Sequence, residues 1–404
     1  MSHVSRHIRC MAAVLLLLAL LLPLLVRPLS VAAVEEETLS VCLPRLHDVG
    51  AISAQSAVLI DADSGQILYG KQENERLPMA STTKIMTALC AVELSDVTDV
   101  ITVSPAAVGV EGSSVYLYEG EQLTLGQLLY ALLLESANDA AVAIAIGVAG
   151  SVEEFVAYMN QKAEELRLQD THFENPHGLD AEEHYTTAYD LALTARALLA
   201  HPMLRTVVST RKMTIPLNGT QGVRSLLNHN KLLRNYQGAI GVKTGFTKRS
   251  GRCLVSAAER DGLTLIAVTL HAPDDWNDHT RMLDAGFAAY ERVVLCEDKG
   301  FESLIPLAGG TEAYVMVHNA HAAALTLPRD RGTMHCKIEM ERMLWAPVKG
   351  NAQLGTLSFQ CDVDKDGKSE TLSCIPLLSA YGVRRRPPLT LWERFLRLFT
   401  RQNQ

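Results

Sequence analysis

The chain has 404 residues, 48% of them hydrophobic and 20% charged, with a formal net charge of −8. That composition excludes a disordered polymer, and the length allows two domains with cores of their own. The acidic balance excludes nucleic-acid binding through bulk electrostatics, and neither a zinc-ribbon spacing nor a phosphate-binding loop is present.

Arg6 and Arg9 precede an apolar run from Met11 to Val26, and Val31-Ala32-Ala33 supplies small residues ahead of Glu35, Glu36 and Glu37. Residues 1–33 read as a secretory signal peptide cut near Ala33. An uncleaved membrane anchor is the competing reading, because the run is nearly long enough to span a bilayer. On either reading the rest of the chain is exported. Once Cys10 is set aside with the signal, the seven remaining cysteines are irregularly spaced and give no disulfide framework, although Cys361 could pair with Cys374 or Cys336.

Two apolar strands, Ala57 to Ile60 and Gln66 to Tyr69, are joined through Asp63-Ser64-Gly65, a hairpin signature. A helix carrying Ser81 follows, with Ile85, Met86, Leu89 and Val92 as its apolar stripe. Thr124-x-x-Gln127 forms a capping box for a helix bearing Leu125, Leu128, Leu129, Leu132 and Leu133. After Ser136-Ala137-Asn138, Asp139 is expected to cap a second segment, Ala140 to Val148, whose all-round apolar character predicts burial. Helical periodicity returns over Val152 to Leu166 and Thr187 to Leu199, separated by the loop "THFENPHGLD". Ala239 to Thr244, Arg252 to Ala258 and Leu263 to Leu270 read as strands, the last two meeting at Asp261-Gly262, and a helix from Asp278 to Tyr290 follows.

Strands at both ends of a helical block predict an α/β fold whose sheet joins both termini. Residues 46–294 are assigned to this domain and 295–380, with short β-like runs and charged turns, to a small β-rich domain. Beyond the break at Arg384 to Pro388, Trp392, Phe395, Leu396 and Phe399 recur at helical spacing with Arg394, Arg397 and Arg401 elsewhere on the helix. Residues 384–404 therefore read as a basic amphipathic tail suited to a membrane surface, the alternative being a helix packed on the β-rich domain.

Three short elements carry chemistry: Ser81-x-x-Lys84, Ser136-x-Asn138, and Lys243-Thr244-Gly245 on a strand. Residues i and i+3 of a helix share a face, so the Ser81 hydroxyl and the Lys84 amine can meet as nucleophile and base. Each element has a plain alternative: an N-cap serine beside a lysine reaching water, a capped helix break, a strand entering a turn. Their joint occurrence in this order favours catalysis.

With "MASTTKIMTAL", "LLLESANDAA", "FENPHGL" and "IGVKTGFT" around them, these motifs resemble those of low-molecular-mass penicillin-binding proteins, the D-Ala-D-Ala carboxypeptidases of serine peptidase family S11. The resemblance covers Ala57 to Tyr290 well and the β-rich region loosely. It implies a β-lactamase/transpeptidase-like domain, an antiparallel sheet with a helical block, followed by the β-rich domain. It implies that Ser81 attacks the penultimate D-alanine carbonyl of a peptidoglycan stem peptide, Lys84 takes its proton, and Ser136 relays protons to the leaving amine. Asn138, Lys243, Thr244, Gly245 and Phe246 would bind substrate, the Ser81 and Phe246 N–H groups forming the oxyanion hole. β-Lactam antibiotics would act as covalent inhibitors, and no cofactor is required.

Family members that carry an arginine in the strand-to-helix region after the third motif differ from this chain, which has "HAPDDWNDH". Asp274, Asp275, Asp278 and His279 there lack regular metal-ligand spacing and read as a polar loop and helix cap, so no metal is assigned. "DVDKDG", Asp362 to Gly367, begins like a calcium loop but has Ser373 at the twelfth position and reads as a tight turn. A β-lactamase would share the three motifs, but the Glu-x-x-Leu-Asn arrangement of class A enzymes is missing and Glu174 is the one candidate to replace it. The remaining alternative is a non-catalytic peptidoglycan-binding protein, against which intact Ser81, Lys84, Ser136 and Lys243 argue.

Overall fold

A computed structural model of the chain describes residues 43–217, 222–362, 369–388, 390, 392 and 393. The signal segment, most of the Asp362 to Gly367 turn and the tail residues 389, 391 and 394–404 lie outside the described residues.

The fold is mixed α/β. β1 (Ser56–Asp61) and β2 (Ile67–Lys71) form the opening hairpin, and a 3₁₀ turn, Ala80–Thr83, leads into α1 (Lys84–Leu94). A short ribbon, β3 (Val100–Thr102) with β4 (Gln122–Thr124), precedes α2 (Leu125–Leu134). The helical block continues through α3 (Asn138–Ala149), α4 (Val152–Glu165), α5 (Ala188–Ala200) and α6 (Pro202–Ser209). A second hairpin, β5 (Lys212–Pro216) with β6 (Val223–Leu227), and one helical turn, α7 (Leu232–Asn235), lead to β7 (Ala239–Thr247), β8 (Gly251–Arg260), β9 (Leu263–Leu270) and α8 (Asp275–Ala289).

The central sheet has the order β2-β1-β9-β8-β7 and is antiparallel throughout. Pairing of β1 with β9 (Ser56 opposite Leu270) joins the two ends of the domain. Because side chains alternate across a strand, Val58 and Ile60 of β1 enter the core beneath the helical block while Ala57 and Leu59 enter the one beneath α8. The sheet is thus covered on both faces, which explains why its central strands are continuously apolar rather than alternating.

Local signals in the sequence have identifiable structural counterparts. The Thr124 side chain accepts from Gln127 N and the Gln127 side chain accepts from Thr124 N, completing the capping box. Asp261 and Gly262 both have positive φ, 50° and 79°, the requirement of a two-residue turn between β8 and β9. Asp139 departs from its expected role as a cap: α3 begins at Asn138, and the Asp139 carboxylate instead accepts from Ser114 Oγ (2.6 Å) and Leu117 N (3.0 Å) on a neighbouring loop. The "HAPDDWNDH" stretch also differs. α8 starts at Asp275, and Asp278 and His279 are buried in it rather than in a polar loop.

After α8, β10 (Tyr290–Cys296) pairs with β13 (Ala323–Pro328). A six-stranded sheet of order β14-β16-β17-β12-β11-β15 contains β11 (Glu302–Ala308), β12 (Tyr314–Asn319), β14 (Met334–Met340), β15 (Leu344–Trp345), β16 (Gln353–Asp362) and β17 (Ser369–Ser379). Thr326 Oγ1 of β13 donates to the buried Asp61 carboxylate of β1 at 2.8 Å, tying the ribbon to the central sheet. Cys90, Cys253, Cys296, Cys336, Cys361 and Cys374 are all free thiols. Among the described residues no single helix is long and apolar enough to cross a membrane.

Candidate active site

Ser81 lies in the 3₁₀ turn and Lys84 opens α1, so the pair straddles the junction rather than sharing the first turn of one α-helix. Three residues per turn stacks i directly over i+3, and Lys84 Nζ comes to 3.0 Å from Ser81 Oγ. The turn is held from within: Thr82 Oγ1 donates to Met79 O (2.5 Å) and Thr83 Oγ1 to Ala80 O (2.8 Å). Ala80, the residue before Ser81, has φ +47°, a left-handed conformation that costs an L-residue about 1–2 kcal/mol. Packing around it maintains that conformation.

Lys84 is fully buried. Besides its 3.0 Å contact with Ser81 Oγ, its amine donates to Asn138 Oδ1 (2.6 Å) and to His177 O (2.5 Å). Desolvation pushes its pKa well below the ordinary lysine value, the positive charge of Lys243 pushes in the same direction, and Asp139 opposes both. Lys243, 1% exposed on β7, donates to Thr244 O at 3.0 Å; burial lowers its pKa to about 7, with Glu135 pulling upward.

Asn138 and Ser136 come from the break between α2 and α3. Ser136 takes φ +61° and is 5% exposed; this left-handed residue turns the chain so that Asn138 reaches Lys84. On the opposite wall, β7 is an edge strand of the sheet. Gly245 runs so close to the 3₁₀ turn that a Cβ there would lie 3.1 Å from Met79 O and 3.2 Å from Ser81 N. Thr244 and Phe246 flank it, and the Phe246 side chain is 65% exposed. The structure therefore joins Ser81, Lys84 and Asn138 by direct hydrogen bonds and lays the Lys243–Phe246 strand against Ser81. Ser136 is placed through the backbone of the same turn as Asn138.

Several supporting groups escaped the sequence reading. His184 accepts from Glu174 N at Nδ1 (3.0 Å), which leaves Nε2–H to donate to Thr83 Oγ1 (2.8 Å), linking the 173–185 loop to the serine's turn. Burial lowers the His184 pKa to about 3, so it stays neutral and keeps this tautomer. Thr87 Oγ1 donates to Pro176 O, and Asn175 Oδ1 accepts from Gly178 N, fixing the loop whose His177 carbonyl meets Lys84. The loop itself was expected from the sequence; the Asn-Pro pair at 175–176 is the turn signal that could have marked where it doubles back toward Lys84. The Glu174 carboxylate accepts from Glu183 N, away from Lys84, and so does not stand in for a class A deacylating glutamate.

The acidic residues of "HAPDDWNDH" have structural partners. Asp278 accepts from Ser53 N, Ser53 Oγ and Ala54 N; Asp275 pairs with Arg252 at 2.9 Å; His279 bridges Ser256 and Thr269. Among the described residues no cluster of three or more histidine, cysteine or carboxylate groups is placed to hold a metal ion.

A sheet covered on both faces, with a half-buried serine beside a fully buried lysine between its edge strand and the helical block, has the β-lactamase/transpeptidase architecture. Residues 44–274 match the S11 peptidases, the D-alanyl-D-alanine carboxypeptidases, and the chain belongs to that family. It is 34% identical over 354 residues to the D-alanyl-D-alanine carboxypeptidase DacF of Bacillus subtilis, covering 85% of this chain and 89% of the relative. It is 32% identical to DacC of Escherichia coli over 77% of this chain and 80% of that protein. Penicillin-binding protein 5 from Haemophilus influenzae superposes with a TM-score of 0.66 at 27% identity, over 83% of this chain and 99% of that one.

Proposed function

We propose that Ser81 is the acylated nucleophile of a D-alanyl-D-alanine carboxypeptidase that trims the terminal D-alanine from peptidoglycan stem peptides. The observation that carries this is the 3.0 Å contact between Ser81 Oγ and a fully buried Lys84 amine. A neutral amine has two N–H bonds and one lone pair. Asn138 Oδ1 and His177 O can only accept, so they take the two hydrogens, and the lone pair is left facing the one neighbour that can donate, the Ser81 hydroxyl.

In the acylation step the Oγ–C bond forms on the penultimate D-alanine carbonyl, the serine proton passes to Lys84, and the bond to the terminal D-alanine nitrogen breaks. The proton reaches that nitrogen through Ser136. Water then cleaves the ester by the reverse relay. Lys243 and Thr244 would take the substrate carboxylate, and Asn138 the substrate amide. Gly245, without a side chain, leaves room for the peptide against the edge of β7, and the N–H groups of Ser81 and Phe246 would stabilise the oxyanion. β-Lactams would acylate Ser81 in the same way and remain attached. The same reading makes residues 1–33 an export signal and residues 384–404 a tail lying on the outer face of the cytoplasmic membrane.

Labelling with fluorescent penicillin, followed by peptide mapping, tests the assignment. The label should fall on Ser81 and disappear in Ser81→Ala, and mass spectrometry of a pentapeptide digest should show loss of one D-alanine. Stoichiometric labelling of Ser81→Ala would refute it.

A further inference from the structure

A buried ion pair lies outside the reacting groups yet is connected to them. Glu121 has a fully buried side chain, and Arg224 of β6 is 10% exposed beside it. The guanidinium donates from Nη1 to Glu121 Oε1 (2.5 Å) and from Nη2 to Oε2 (2.8 Å), a two-pronged contact. It also donates from Nε to Val115 O (2.8 Å) and from Nη2 to Tyr116 O (3.0 Å). One side chain thereby fastens the 111–121 loop to the β5–β6 hairpin. From the opposite side Asp139 holds the same loop through Ser114 and Leu117.

Between these anchors, the loop grips Asn138. Its Nδ2 donates to Glu111 O (2.5 Å) and its backbone N–H to Ser113 O (2.7 Å). Gly112, between them, has φ +95°, and a Cβ there would stand 2.7 Å from Asn138 Nδ2. The Glu111 carbonyl decides which end of the carboxamide faces Lys84. With Nδ2 engaged, Oδ1 accepts from the lysine; without it, the amide is free to turn and offer an N–H to an amine that must keep its lone pair for Ser81.

We infer that Arg224 is a positioning residue of the reaction, acting through the 111–117 loop and the Asn138 carboxamide on the orientation of the Lys84 amine. The inference rests on the reading of Lys84 as base and Ser81 as nucleophile. Burying a charged pair is not a requirement of stability, since well-packed apolar residues of similar volume often serve as well or better. The effect of Arg224 should therefore be found in the rate of bond formation.

Penicillin acylation, resolved into the pre-equilibrium constant and the first-order acylation step, provides the test on the full-length protein. Arg224→Met alone leaves Glu121 buried without its cation, so the apolar pair Glu121→Leu/Arg224→Met is the primary variant, with Gly112→Ala as a second perturbation of the same link that leaves the ion pair intact. Both should slow the acylation step by about 10- to 100-fold, in the range expected when a reacting group is misplaced by an ångström or less, with the pre-equilibrium constant within about 3-fold of wild type. Arg224→Lys, which keeps the charge without the fork, should fall between. Wild-type acylation rates in the folded variants would overturn the inference, as would a loss confined to the pre-equilibrium constant, which would mean that the loop contacts substrate directly. Failure of Ser81 to label in the wild-type enzyme would instead remove the underlying reading, so the two failures are distinguishable.

Discussion

Gly178 offers a measurement of how tightly the serine's turn is clamped. Its φ is +90°, and a Cβ placed on it would lie 1.9 Å from Ala80 O, 2.4 Å from Ala80 C and 2.9 Å from Ser81 N. Gly150 is the natural control: its φ is +89°, with nothing within 4 Å of the same added atom. Alanine at Gly150 meets only the backbone cost of a left-handed L-residue, about 1–2 kcal/mol. Alanine at Gly178 meets that cost and must also displace main chain. Overpacking adds about 1–3 kcal/mol where side chains can move, and rigid backbone puts this site at the upper end, for a total of about 3–5 kcal/mol.

The functional consequence should be larger than the loss of stability suggests. Residues 175–179 supply the His177 carbonyl that holds Lys84, and the atoms that Gly178→Ala would strike belong to the turn that carries Ser81. Relief of the clash moves both reacting groups, and a shift of about 1 Å can cost about 100-fold in rate. Urea unfolding of the two variants gives the stabilities, and time-resolved penicillin labelling gives the rates. The reasoning fails if Gly178→Ala unfolds at the same urea concentration as Gly150→Ala and labels at the wild-type rate.

Three further outcomes follow from burial. The second-order acylation rate should be bell-shaped in pH, rising as Lys84 loses its proton and falling as Lys243 deprotonates near 7; in Lys243→Arg the alkaline limb should vanish, because a guanidinium stays charged, and persistence of that limb would reassign it. Burial lowers the His279 pKa to about 3 in the folded chain against about 6.5 when unfolded, so the native state binds fewer protons between those values and stability is lost as pH falls through them. His279→Gln should reduce the slope of unfolding free energy against pH by about 1.4 kcal/mol per unit in that window, and an unchanged slope would place the proton uptake elsewhere. Iodoacetamide should modify the exposed Cys336 and Cys374 in the native protein while sparing buried Cys253, whose thiol is pushed up to about 11, until denaturant is added; early modification of Cys253 would contradict its packing.

Much of the scaffold was legible because its signals are local. The Thr124 capping box, the Asp261-Gly262 turn and the continuously apolar β1 and β9 each act over a few residues, and each determines one piece of backbone. The helix expected at Asp278 begins instead at Asp275, because the acidic residues find partners far away in sequence: Asp278 on the Ser53–Ala54 backbone and Asp275 on Arg252. Asp139 was misjudged for the same reason. Its position beside a helix start suits a cap, and its carboxylate does accept from Ala140 N (2.9 Å), but Ser114 Oγ and Leu117 N of a distant loop claim it as well.

The site itself was legible by motif and not by mechanism of support. Ser-x-x-Lys puts two side chains on one face, but it says nothing of the left-handed Ala80 and Ser136 that aim them, since alanine and serine are unremarkable residues for regular structure and costly ones at positive φ. Such conformations survive only where surroundings over-determine them. Here the surroundings are glycine at Gly112 and Gly178, where a side chain would collide with Asn138 or Ala80, the His184–Thr83–Ala80 chain of hydrogen bonds, and the Arg224 clamp. None of these groups is required to touch substrate, and none lies within a motif that names a chemistry. They are where the fold opposes local preference, and the opposition is concentrated around the buried Lys84 amine and the Ser81 hydroxyl it meets.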